Sequence, residues 1–67
     1  MHREDIKASL HKKGSSLAAI AAELDCHFTH VTHVVAGKRS RRVEAYVAKT
    51  LGMPVEVVFP SRYPQTN

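Results

Sequence analysis

Apolar residues fall at helical spacing through most of this chain. Leu17, Ile20, Ala21 and Leu24 recur at i, i+3, i+4 and i+7, a pattern that predicts an amphipathic helix. Ser16 reads as its N-cap, with Ser15 as the second choice. Ala18, Ala19 and Ala22 add helix propensity and allow a neighbouring helix to approach closely. Upstream, Ile6 and Leu10 stand four apart and give a helix over residues 3–13 a buried stripe. Glu4 and Asp5 at its start and Lys12 and Lys13 at its end match the helix dipole, and Gly14 stops it.

After Leu24 the pattern breaks at Asp25-Cys26-His27, which predicts a tight turn. Residues 28–36 follow. Their β-branched Val31, Val34 and Val35 would suit a strand by propensity alone. With Phe28 they fall on one side at about 100° per residue, so the segment is read as a third helix. Gly37 ends it and Lys38-Arg39 form a loop. Ser40 is placed to cap a fourth helix over residues 41–51, with Val43, Tyr46, Val47 and Leu51 inward and Gly52 as terminator. Pro54 fits the first position of a last helical turn, 54–58. Val58 and Phe59 are then expected to fold onto the core, with Tyr63 as a further candidate. The tail, residues 64–67, has nothing to bury and is expected to fray. The expected fold is all-α, a small four- to five-helix bundle with no strand.

Composition narrows the class. Sixty-seven residues make a single domain, 1–67. A core of this size supplies about 3–5 kcal/mol of net stability, so a deep catalytic cleft, which would consume that core, is not expected. The 43% hydrophobic content describes a folded chain rather than a disordered one. No apolar run is long enough for a membrane span, and no apolar stretch follows the charged opening to make a secretory signal. One cysteine, Cys26, forms no internal disulfide, which fits a reducing cytoplasm. Ten Lys+Arg against six Asp+Glu give +4, a balance that favours a polyanionic partner, most simply nucleic acid.

The segment from Leu17 to Val34 has the spacing of a helix-turn-helix. Ala21 must be small where the second helix of the unit crosses it, and Cys26 is the small apolar residue that plugs the turn. Val31 and Val34 anchor the third helix from beneath, which leaves its opposite face for a major groove. Asp25 stands where such a turn usually has Gly, and Asp is among the few residues that tolerate a left-handed backbone. A plain helical bundle with Ala-rich packing is the bland alternative.

Charge placement favours the nucleic-acid reading. Lys38, Arg39, Arg41 and Arg42 put four of the ten cations within five residues, just past the third helix. A loop there would lie beside a phosphate strand, and Ser40 with the first amides of the fourth helix could also hold a phosphate. The phosphate contacts expected are therefore Lys38, Arg39, Ser40, Arg41 and Arg42. On the third helix His27, Thr29, Thr32 and His33 are the expected base readers, since Thr hydroxyls and neutral His nitrogens bond to base edges. Phe28 is assigned to the core, with a place against a thymine as its alternative.

Other chemistries are weaker. Cys26, His30 and His33 are spaced for approach to one metal ion, but Cys26 is wanted in the core and no fourth ligand stands at a recognisable spacing. No metal, cofactor or small-molecule substrate is expected. Catalysis is not expected either: Cys26 and His27 are adjacent and do not face one another on a helix, and no paired carboxylates stand out. The five histidines could make DNA affinity rise at acidic pH.

Both ends of the chain add a resemblance. His2-Arg3-Glu4-Asp5-Ile6-Lys7-Ala8, Leu10 and Lys13-Gly14-Ser15-Ser16-Leu17 resemble the opening of the Ner-like regulators, small DNA-binding proteins of Mu-type transposable phages and their bacterial relatives. Leu51-Gly52-Met53-Pro54 and Glu56-Val57-Val58-Phe59-Pro60-Ser61-Arg62-Tyr63 resemble that family's closing signature. The resemblance spans residues 2–63. It implies a lambda-repressor-like helical fold, transcriptional control, commonly repression of an early phage promoter, and major-groove contact by His27, Thr29, Thr32 and His33. Phe59 stands where the family usually has Trp, and residues 36–42 depart from its often Trp- and Pro-containing loop.

The sequence thus points to a double-stranded-DNA-binding regulator, a repressor acting by occlusion. It is expected in the bacterial cytoplasm at the nucleoid, with a homodimer forming on DNA. An architectural or recombination accessory protein is one alternative. A protein-interaction module such as an antitoxin-like adaptor is the other.

Overall fold

The computed structural model describes residues 1–60 of the chain, and within them five helices and no strand. These are α1 (Arg3–Lys12), α2 (Leu17–Glu23), α3 (Phe28–Ala36), α4 (Arg41–Leu51) and α5 (Val55–Val58). The expected elements are all present, in order. Helix α1 stops one residue earlier than expected, and Pro54 is the N-cap of α5 rather than its first helical residue. Tyr63 and the tail expected to fray lie outside the described residues.

The core is a single cluster drawn from every helix. Ile6 and Leu10 of α1, Leu17, Ile20 and Ala21 of α2, and Val31, Val34 and Val35 of α3 meet Val43, Val47, Ala48 and Leu51 of α4. Val58 and Phe59 close it, as the sequence pattern predicts. Tyr46 and Cys26 are half-buried and pack at its edge. At the closing end, the Met1 ammonium donates to the Val58 carbonyl oxygen at 2.8 Å, tying α5 to the start of α1.

One departure changes the site. Phe28, assigned to the core from its spacing, is 50% exposed. The three valines centre the buried stripe of α3 close to Val31. At about 100° per residue Phe28 then sits on the stripe's edge, where α1 and α2 cover only part of the ring.

Helices α1 to α4 all end the same way. At each C-terminus one amide bonds back five residues and its predecessor back three, the two-bond cap that satisfies orphan carbonyls. The pairs are Ser15 to Leu10 with Gly14 to His11, Cys26 to Ala21 with Asp25 to Ala22, Lys38 to His33 with Gly37 to Val34, and Met53 to Ala48 with Gly52 to Lys49. This cap needs a positive φ, supplied by glycine three times and by Asp25, at φ 53°, once. The residue that departs from the usual Gly of the turn therefore adopts the left-handed backbone that glycine would have taken. A left-handed L-residue costs about 1–2 kcal/mol, and the cap bonds with Cys26 packing on the core offset it.

Candidate nucleic-acid interface

Helix α2 is fixed at both ends, and the turn that leads from it to α3 is held by two sets of contacts. Ser16 Oγ accepts the Ala19 N–H at 3.0 Å and fixes where α2 begins. The double cap at Asp25 and Cys26 fixes where it ends. The Arg42 guanidinium donates to the carbonyl oxygen of Leu24, the C-cap residue of α2. That carbonyl belongs to the group a helix end leaves unpaired, so Arg42 joins α4 to the turn that leads into α3.

Helix α3 then presents two rows to solvent. Thr29 and His33 lie exposed, opposite the buried valines, and Phe28, Thr32 and Ala36 form the adjacent row at i, i+4 and i+8. Thr29, Thr32 and His33 are thus brought to one side of a single helix, with His27 at its N-terminus. His27 is its N-cap: Nδ1 accepts the Thr29 N–H at 3.4 Å. An accepting Nδ1 leaves the proton of a neutral ring on Nε2, so the exposed imidazole offers a donor there. The Thr32 hydroxyl donates to the Phe28 carbonyl oxygen at 3.1 Å, which leaves its oxygen to accept. His30 is half-buried at the far flank.

The basic loop is more internally committed than its composition implies. Glu44 is fully buried, and its Oε2 accepts the Ser40 N–H at 3.0 Å. The same oxygen lies 3.5 Å from Arg39 Nε. Ser40 is the N-cap of α4, as expected, yet its hydroxyl makes no cap bond; the cap runs from its own amide to the Glu44 carboxylate. Arg42, expected at phosphate, spends a donor on Leu24. Lys38 and Arg41 are exposed, and their side chains make no hydrogen bond or ion pair among the described residues.

Glu44 was not singled out from the sequence. Its signal was present: a Glu four residues after a Ser N-cap is a capping box with one residue added. A second edge also emerged from the fold. Arg3, Glu4 and Lys7 of α1 line a groove with Leu17, Phe28, Thr32 and Ala36, where Lys7 pairs with Glu4 at 3.7 Å, so α1 also brings a net positive charge beside α3. Among the described residues no group of three or more His, Cys, Asp or Glu is arranged to hold a metal ion. No helix among them is long and apolar enough to cross a membrane.

A family model described as winged helix-turn-helix DNA-binding matches residues 1–67. The Mu-like prophage FluMu DNA-binding protein Ner of Haemophilus influenzae is 35% identical over 66 residues, covering 98% of this chain and 73% of that protein. No solved structure matches the chain significantly. The motif spacing, the capped turn and these matches agree, and the chain belongs to the winged helix-turn-helix DNA-binding family, among its Ner-like members.

Proposed function

We propose that this protein is a sequence-specific double-stranded-DNA-binding regulator, a repressor that works by occupying a promoter and excluding polymerase. The carrying observation is the exposed face of α3, rigidly set by a capped turn and flanked by cations. A helix so held fits the major groove, where each base pair presents a distinct pattern. His27, Thr29, Thr32 and His33 read base edges. Lys38 and Arg41, whose charges no other side chain among the described residues engages, contact phosphate. Arg39 adds charge from its seat on Glu44, and the Ser40 hydroxyl is the group that residue offers to a phosphate. Arg42 acts first as a positioning residue.

One such helix reads only a few base pairs, so useful specificity needs two copies on adjacent half-sites. The protein acts as a homodimer on DNA, at the nucleoid of its bacterial host, with no catalytic step. The relation to a prophage Ner protein supports a phage or prophage setting.

Order of addition in transcription in vitro tests occlusion. On a promoter carrying the bound site, protein added before polymerase abolishes the transcript, and protein added after the open complex has formed does not. Equal inhibition in both orders contradicts occlusion.

A further inference from the structure

We propose that Phe28 is a specificity-determining residue that recognises a thymine through its C5 methyl group. The inference rests on the DNA-binding reading above and adds a residue and a base to it. Phe28 is half exposed, while Ile6, Leu10, Ile20, Val31, Val34, Val43 and Val47 are almost completely buried. Among the described residues the other exposed large hydrophobics are Met53 and Val57, beyond the end of α4. A lone apolar ring on the reading face has a different setting from either.

Three features of that setting point to a base. Phe28 is the first residue of α3, the end that enters a major groove in a helix-turn-helix. It lies in the row of Thr32 and Ala36, at i, i+4 and i+8, so a base edge facing Thr32 faces the ring too. Its surroundings are amphipathic: the ring shares one groove with Lys7, His11 and Ser16, and another with Arg3, Glu4 and Lys7, where Lys7 pairs with Glu4 at 3.7 Å. With Arg3 beside the Lys7–Glu4 pair the rim stays net positive and suits a phosphate strand, which brings the base edges it carries towards the ring. The thymine methyl is the one apolar group that unmodified bases present in the major groove. A water-exposed ring and an apolar group meeting there gain from excluding water between them.

The test begins with the wild-type protein and the duplex site it selects. Each thymine is replaced in turn by deoxyuridine, which removes the methyl and leaves every hydrogen-bonding group. One thymine, or a symmetry-related pair, is expected to weaken wild-type binding roughly 3- to 10-fold per half-site. The Phe28→Ala protein binds the parent site that much more weakly and is indifferent to the substitution. Phe28→Leu, which keeps an apolar side chain, retains part of the dependence. No methyl-sensitive thymine, or equal sensitivity in wild type and Phe28→Ala, overturns the role of Phe28. So does a Phe28→Ala protein that loses thermal stability and weakens on all sequences alike, since that is the mark of packing alone. The wild-type scan can refute the proposal without any variant. Failure to select a site at all overturns the regulator reading, and the role of Phe28 with it.

Discussion

The buried carboxylate of Glu44 is where folding and the basic loop are joined, and truncating it should damage both. In Glu44→Ala the Ser40 amide loses its carboxyl acceptor at 3.0 Å, and stranding a part-buried donor costs about 1–3 kcal/mol. The pair with Arg39 adds little, because that side chain is 56% exposed and the separation is 3.5 Å; after solvent screening it contributes at most about 1 kcal/mol. The void left by a fully buried side chain adds about another 1 kcal/mol. The total, about 3 kcal/mol or more, approaches the whole stability of so small a core. Glu44→Ala is therefore expected to be largely unfolded at physiological temperature. Glu44→Gln keeps the volume and one acceptor oxygen, so it should lose about 1–2 kcal/mol and roughly 5–15 °C in Tm. Glu44→Met, with volume but no acceptor, should fall between them and separate packing from hydrogen bonding. Thermal and urea melts followed by far-ultraviolet circular dichroism provide the comparison. A Glu44→Ala protein within about 0.5 kcal/mol of the parent would show that Glu44 does not anchor α4 and the loop as described.

Further expectations follow from the same contacts. Lys38→Ala and Arg41→Ala should each lower the slope of log affinity against log salt by about one, with little change in sequence preference. Arg42→Met should instead weaken binding with the salt slope nearly unchanged, since its guanidinium holds Leu24; a slope reduced as much as in Lys38→Ala would return Arg42 to the phosphate. Asp25→Val places a β-branched side chain at φ 53°, and denaturant melts are expected to find it about 1–2 kcal/mol less stable than Asp25→Gly. Ser16→Ala removes the cap on Ala19 and should cost about 1 kcal/mol; an unchanged midpoint would mean that water replaces the cap.

The fold was largely legible because its signals are local. Caps at Ser16, Gly14, Gly37 and Gly52 bracket apolar residues at helical spacing, and each mark acts within one turn of helix. Even Asp25, an irregularity in the pattern, could be read as a left-handed residue from its side chain alone. What escaped the sequence depends on which helix lies across from which. Phe28 sits at the edge of its apolar stripe, and only the actual position of α1 decides whether the ring is covered. Glu44 is buried only because α4 packs that position against the core, a tertiary fact that the local spacing does not carry. Arg42 was counted with its neighbours as a cation for phosphate, and its bond to Leu24, eighteen residues away, is visible only in three dimensions. Charge composition announced a basic surface, and the fold divides it between groups that hold the scaffold and groups that face outward.

The central claim is that α3, so held, reads a particular DNA sequence. Selection of bound duplexes from a randomised library, at near-physiological salt and with a chelator present, tests this most directly. The account predicts an enriched motif containing two half-sites about one helical turn apart, and unchanged recovery with the chelator. Binding without enrichment, or no binding at all, would contradict it.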